Sequence, residues 1–209
     1  MSDFRKLVAS RRMVRAFRRD PIERALLATL VDSASRSPSA GKTQGWSLVV
    51  MEGSDTESFW SATMSPETRA GFRWRHLLDA PVIMLSFADP HAYLERYSED
   101  DKSHGGLGSS LDAWPAPYWT IDASFATMAL LLAAHDAGLG ALFFGVFRGE
   151  AELRQLIGVP EHLQLIGAVA LGYEREPDAG ESDDPAFTRG ASAARARATA
   201  DEIIHFGRW

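Results

Sequence analysis

Hydrophobic positions along the chain change rhythm several times, and each change marks an element. Phe4, Leu7 and Val8 recur at helical spacing, which predicts a short first helix. Asp20, Pro21 and Glu23 supply start signals for a second helix: an N-cap, a residue suited to the first helical position, and a capping-box partner. Ile22, Leu26, Leu27, Leu30, Val31 and Ala34 then line one face, and Pro38 follows its end. "WSLVVME" at 46–52 predicts a strand, and residues 55–64 and 66–75 predict short helices. "APVIMLSFAD" at 80–89 is a continuous apolar run of the kind found in a central strand.

Residues 90–119 mix charges, glycines and aromatics and read as an irregular excursion; long loops of that kind cover a site or an interface. Residues 122–137 are apolar on nearly all sides, the pattern of a buried helix, which "GLG" at 138–140 stops. "ALFFGVF" at 141–147 predicts a strand, 150–157 a short helix, and "LQLIGAVALGY" at 163–173 another strand. Residues 174–185 carry six acidic residues and one arginine and read as a solvated linker. "EIIHF" at 202–206 is a candidate last strand. Helices and strands do not alternate strictly, so an α+β architecture is favoured over a doubly wound sheet. With 209 residues, 45% of them hydrophobic, residues 1–209 are expected to form one domain.

Charge and composition narrow the function. With 22 Lys+Arg against 28 Asp+Glu the net charge is -6, which argues against a nucleic-acid partner, since such binders draw affinity from a basic excess. Cysteine is absent, so disulfides, thiolate metal sites and cysteine nucleophiles are excluded together. The N-terminus has no apolar signal region, and the longest apolar run, 125–134, is too short to span a bilayer; a soluble cytoplasmic protein with no membrane partner is expected. The six histidines (76, 91, 104, 135, 162 and 205) show no pair at metal-ligand spacing, so no metal is expected. "GLGALFFG" is no dinucleotide fingerprint, because its glycines follow a helix and precede a strand.

One stretch stands against the acidic background. "SRRMVRAFRRDP" at 10–21 holds Arg11, Arg12, Arg15, Arg18 and Arg19. Such a run either decorates a helix C-terminus, where the dipole favours cations, or clamps a phosphate through paired guanidinium hydrogen bonds. "SPSAGKTQGW" at 37–46, rich in small residues and hydroxyls, is either a helix stop or a binding loop.

Taken together, "RRMVRAF" and "SPSAGKTQGWSLVV" resemble the opening of the nitroreductase family of flavin oxidoreductases, whose pattern runs R-R-S-x-R-x-F and then A-P-S-x-x-N-x-Q-P-W and a strand. "AAHDAGLGALFFGVF" resembles that family's central helix and following strand. "LRQLIGVPEHLQLIGAVALGYE" resembles its L-G-I-P to L-G-Y segment, and "RAR" with "DEIIHFGRW" its closing basic pair and final strand. The likeness covers most of the chain, apart from roughly 55–75 and the loop before Tyr118.

The resemblance implies an α+β, nitroreductase-like fold: a central mixed sheet flanked by helices, with a C-terminal tail extending onto the partner subunit. It implies a homodimer that binds FMN at the subunit interface and passes hydride from NAD(P)H through flavin N5 to a quinone, nitroaromatic or similar flat acceptor, in ping-pong exchange. Carried over by position, Arg11 and Arg12 hold the FMN phosphate, with Arg195 and Arg197 converging from the tail. Arg15 reaches the flavin ring, and Gly145, flanked by Phe143 and Phe144, turns its backbone N–H toward N5; Arg15 and Gly145 are thus the candidate catalytic residues. Pro38, Ser39, Ala40 and Lys42 contact the FMN of the other subunit. Arg18 and Arg19 match no functional position, and Arg73 and His76 lie where the family often has polar contacts before its second strand.

This chain departs from the pattern at three places. Met13 stands where a serine usually bonds the phosphate, Lys42 replaces an asparagine and Gly45 a proline. The loop 103–119 falls outside the pattern and is a candidate wall of the substrate pocket, or a cover for the flavin, through Trp114, Tyr118 and Trp119. Alternative functions within the resemblance are flavin sequestration without NAD(P)H turnover, and use of flavin for dehalogenation, flavin fragmentation or deazaflavin-linked reduction.

Overall fold

A computed structural model describes residues 3–188 and 194–209; residues 1–2 and 189–193 of the expected 1–209 unit lie outside the described residues. Four strands form one sheet in the order β1-β2-β4-β3: β1 Trp46–Glu52, β2 Val82–Ala88, β3 Gly140–Phe144 and β4 Gln164–Gly172. Every pairing is antiparallel, where a mixed sheet was expected. In this order a parallel neighbour could join only at the open edges, β1 or β3, and among the described residues none does.

The side-chain alternation of the strands explains the layering. In β2, Ile83, Leu85 and Phe87 point into one core cluster while Val82 and Met84 point into another. In β4, Ala168 and Ala170 face the first cluster, and Val169 and Leu171 the second. A strand buried on both faces reads as a continuous apolar run, which is why 80–89 was legible as a central strand; 163–173 was read only as a strand. The first cluster is closed by Phe59 and Trp60 of α3 (Ser54–Thr63) and Leu153 of α7 (Glu150–Ile157). The second is closed by Leu27, Leu30 and Ala34 of α2 (Arg24–Ala34) and by Leu130, Leu131 and Ala134 of α6 (Tyr118–Asp136).

Several boundaries differ from the sequence reading. α2 begins at Arg24, with Glu23 at its N-cap and no side-chain cap. Asp20 instead pairs with Arg18, Nε to Oδ2 3.2 Å, and Ile22 is buried in the second cluster before the helix starts. α1 (Asp3–Ser10) forms as expected and buries none of its residues. α4 (Pro66–Ala70) stops short of Arg75, which opens a separate 3-10 turn, Arg75–Leu77.

The stretch 90–119 is only partly irregular. α5 (Pro90–Ser98) begins at a proline and is capped by Asp89, whose Oδ1 accepts from the His91 and Ala92 N–H groups at 2.9 and 3.2 Å. The buried helix α6 starts at Tyr118, four residues ahead of the expected Asp122. At the C-terminus, "EIIHF" is no strand. Thr199 and Glu202 form a reciprocal capping box that starts α8 (Ala200–Ile203), and the residues after it are exposed. The acidic segment 174–185 is docked as well as solvated: Glu181 accepts from Arg75 Nη2 at 2.9 Å and from Arg175 Nη1 at 2.8 Å. Asp184 lies 3.4 Å from Arg75 Nε.

Candidate functional site

The arginine run is stitched to the sheet by backbone bonds. Val14 N–H donates to Ala141 O in β3 at 3.0 Å, Arg18 N–H to Tyr173 O at 2.9 Å, and Arg175 N–H to Ala16 O at 3.0 Å. Between α1, the start of β3 and the end of β4 this leaves a cleft of ≈ 190 Å³, lined by Ser10, Arg11, Arg12, His135, Gly138 and Glu174 among others. Arg11 Nη1 is buried without a hydrogen-bond partner among the described residues. Arg12 is engaged: its Nη2 donates to Glu174 Oε1 at 2.5 Å, a bond that raises the guanidinium pKa further. Ser10 Oγ lies 2.8 Å from His135 Nε2 on the same wall.

Met13, in the position of the family's serine, packs against both core clusters, so its side chain is spent on the interior. Arg15 Nη1 donates to Met13 O at 3.3 Å and its guanidinium carbon sits 5.3 Å from the centroid of the Trp74 ring. Arg18 and Arg19 are surface residues. Arg18 lies over the Tyr173 ring at 5.1 Å, and Arg19 donates twice to Asp79 Oδ1, at 2.8 and 2.5 Å.

The turn from Ser37 to Trp46 departs from ordinary backbone geometry. Gly41 has φ 60°, and Lys42 and Gln44, neither of them glycine, have φ 56° and 55°. Left-handed backbone costs a residue bearing a Cβ about 1–2 kcal/mol. Such strain persists only where surrounding bonds over-determine it. They do here: Ala40 N–H donates to Asp122 Oδ2 at 2.8 Å, and Arg96 Nε to Gly41 O at 2.9 Å. Asp122 Oδ2 also accepts from Tyr93 O–H at 2.7 Å. Burial, and after it the bond to Asp122, pushes the Tyr93 phenol pKa far up, so the hydroxyl keeps its proton. Pro38, Ser39, Tyr93 and Asp122 line a second cleft, ≈ 460 Å³, against Trp46 and Leu48 of β1.

Other expected residues are distributed as follows. Phe143 and Phe144 end β3, half-buried, and Gly145 follows them. Phe144 stacks on Trp60 at 5.8 Å between ring centroids, which places it on the core side. Arg195 and Arg197 are exposed. His76 is tied to Asp79, Arg75 and Arg175, so it belongs to the ion-pair network of the acidic segment; Arg73 lies over the Trp74 ring at 5.8 Å. Within the loop 103–119, Trp114 is buried: its ring meets Tyr93 at 5.7 Å and Tyr97 at 4.6 Å, and its Nε1 donates to Leu107 O at 2.9 Å. It braces α5 from within the loop.

Asp122, Tyr93, Arg96, His135 and Glu174 were not singled out from sequence. For Asp122 a signal existed: it is the single charged residue between 118 and 134. A lone carboxylate on an apolar helix needs a partner, and here it finds the turn's backbone.

The Nitroreductase family model matches residues 8–173. A protein of Archaeoglobus fulgidus carrying the provisional name NADH dehydrogenase/NAD(P)H nitroreductase is 29% identical over 189 residues, 88% of this chain and 93% of that protein. Iodotyrosine deiodinase 1 of Rattus norvegicus is 25% identical over 190 residues, 82% of this chain and 62% of that protein. The crystal structure of a nitroreductase family protein from Streptococcus pneumoniae superimposes with a TM-score of 0.71 at 17% identity, covering 97% of this chain and 99% of that one. The chain belongs to the nitroreductase family. Among the described residues no helix is long and apolar enough to cross a membrane.

Proposed function

We propose that the chain is an FMN-dependent oxidoreductase that draws on NAD(P)H and reduces a quinone, a nitroaromatic or a similarly flat acceptor as a cytoplasmic homodimer. One observation carries the reading: Arg11 Nη1 is buried, charged and unpartnered in a cleft beside further cationic and polar groups. A buried guanidinium nitrogen without an acceptor is costly, and a phosphate oxygen supplies the acceptor it lacks. The FMN phosphate fits that donor set. Arg11 is its primary ligand; Arg12, held by Glu174 at the rim, is the secondary one, with Arg195 and Arg197 arriving from the tail.

When bound, FMN supplies a ring that takes up and hands on two reducing equivalents, chemistry that no side chain of this protein offers. The chain's own work is binding, orientation and exclusion of water. Arg15, with its guanidinium over Trp74, supplies a fixed cation for the ring's polar edge. Gly145 offers backbone without a side chain where the ring must approach. Pro38, Ser39, Ala40 and Lys42, on the strained turn, complete the pocket from the other subunit. The apolar walls of the second cleft, among them Val31, Trp46 and Leu48, suit flat apolar acceptors better than charged ones. Residues 1–209 act as one domain in this reading.

The second core and the surface beyond it support the dimer. α6 is apolar on nearly all sides, yet Phe125 and Met128 are exposed in the single chain, as are Phe4 and Val8 of α1. Apolar helix faces left open in this way are covered by another subunit.

The test is the absorption spectrum of the purified protein, followed on anaerobic addition of NADH and then NADPH. Expected is a flavin spectrum that bleaches with one or both nicotinamides and returns on adding a quinone. A flavin that stays oxidised under excess of both would favour sequestration or another reductant.

A further inference from the structure

The turn that carries Pro38 to Lys42 holds a conformation its own sequence does not favour. Three of four residues from Gly41 to Gln44 are left-handed, and two of them carry side chains. Bonds inside the turn close it: Lys42 N–H to Ser39 O at 2.9 Å, Thr43 Oγ1 to Ala40 O at 2.6 Å, and Gln44 N–H to Ser39 Oγ at 3.0 Å. These bonds fold the turn but do not fix where it sits. Its position is set from outside, and the carboxylate that does so is buried.

We propose that Asp122 is the positioning residue of the cofactor-binding turn: by accepting the Ala40 N–H, it holds Ser39 to Lys42 where FMN is to be met. The inference rests on the FMN reading and deepens it. Asp122 is 7% exposed, so its bond to Ala40 is charge-assisted and little screened by water. Its direction is fixed in turn by Tyr93, whose hydroxyl donates to the same Oδ2. Tyr93 cannot swing away, because it is completely buried and Trp114 meets its ring edge-on. The order of support therefore runs from the loop 103–119, through Trp114 and Tyr93, to Asp122 and the turn. That gives the extra loop a role in holding the cofactor site. Arg96 adds a second tie from α5 to Gly41 O. Asp122 also borders the second cleft, and its hold on the turn is through the Ala40 N–H.

The experiment uses the full chain, freed of flavin, titrated with FMN by quenching of flavin fluorescence. The visible spectrum of bound FMN and the thermal midpoint of the apoprotein are recorded alongside. Asp122→Ala is expected to raise the FMN Kd about ten- to a hundred-fold and to shift the bound spectrum, because a charge-assisted bond is lost. Asp122→Asn keeps an acceptor for Ala40 N–H and is expected to restore most of the affinity. Tyr93→Phe keeps the ring in its aromatic cluster and is expected to weaken binding about three- to tenfold. Leu153→Ala, a core change on the other side of the sheet, serves as a control of matched stability loss. FMN affinity lost equally in Leu153→Ala would overturn the proposal, and so would an Asp122→Ala protein that binds FMN as the wild type does, with the same spectrum. Should Asp122→Ala not fold, Tyr93→Phe decides: unchanged Kd and spectrum overturn it, and weakened binding at an unchanged midpoint supports it. A wild-type protein that takes up no FMN would instead overturn the cofactor reading, a result distinct from every variant outcome.

Discussion

Arg12 Nη2 donates to Glu174 Oε1 at 2.5 Å, fastening the arginine run to a residue two beyond the end of β4. Two adjacent arginines on one cleft thus differ: Arg12 is paired with a carboxylate, and Arg11 has a buried nitrogen without a partner among the described residues. Arg11→Ala is expected to weaken FMN binding about ten- to a hundred-fold. Arg12→Ala is expected to do less, because Glu174 already offsets its charge. Glu174→Gln, which removes a carboxylate from the phosphate's neighbourhood, is expected to tighten binding, and Arg18→Ala to change nothing. Fluorescence titration of the four variants checks this; equal losses in all three arginine variants would remove the phosphate-clamp assignment.

The open apolar face of α6 leads to a prediction about assembly. Phe125 and Met128 face outward from a helix whose other sides pack on α2 and the sheet. A permanent dimer interface is rich in such residues and resembles a domain core cut in half. The protein is expected to sediment as a dimer at micromolar concentration, and Phe125→Asp to shift it toward monomer by at least about tenfold in Kd, the effect of burying one unpaired carboxylate. A Phe125→Asp protein that remains dimeric would place the interface elsewhere.

How much of this was legible from sequence depends on whether the determining contacts are local. β1 at 46–52, the buried run of β2 and helix α7 at 150–157 follow from periodicity, and they were read within a residue or two. The start of α2 was misread because Ile22, which fits the helical stripe, is buried in the second cluster ahead of the helix, in a segment without regular structure. α5 was missed although Asp89 and Pro90 form a sound start signal. Its aromatics, Tyr93 and Tyr97, looked like loop residues because their partner Trp114 is distant in sequence. The ties on the 37–46 turn were beyond reach for the same reason: Asp122 is 82 residues from Ala40 and 29 from Tyr93. The family pattern marked the residues expected to touch the cofactor, and only the three-dimensional contacts show what holds them.

The acidic segment after β4 makes stability depend on pH. Glu181 accepts from Arg175 Nη1, from the Asp178 N–H at 3.2 Å and from Arg75 Nη2. The Arg175 bond first, and the backbone bond next, hold its carboxyl below the ordinary glutamate value of 4.5. A carboxylate whose pKa is lowered on folding binds fewer protons in the native state. Its contribution is therefore fully present above the unfolded value and is lost as pH falls through the lower, folded value. Urea midpoints measured from about pH 6 down to about pH 3 are expected to fall more steeply for wild type than for Glu181→Gln. Parallel curves would mean that the docking of 174–185 contributes nothing to folding.

Gly45 stands where the family usually has proline, and the contacts around it give the reason. A Cβ built there would lie 2.8 Å from Tyr93 Cε2 and 3.0 Å from Asp89 O. The carbonyl cannot retreat easily: Asp89 caps α5 with its side chain, and its own N–H donates to Gly45 O at 3.0 Å. Relief must come from Tyr93, whose ring is locked in the aromatic cluster and whose hydroxyl steadies Asp122. Gly45→Ala is therefore expected to destabilise the protein by about 1–3 kcal/mol, the usual range for overpacking. For a chain of this length that is a drop of roughly 2–12 °C in thermal midpoint. Gly45→Pro, which restores the family residue, adds ring atoms to the same clash and is expected to be at least as harmful, with FMN affinity falling alongside stability as Tyr93 is displaced. A proline variant that melts higher than wild type and binds FMN as tightly would show that the aromatic cluster yields, and that Tyr93 does not set the position of the turn.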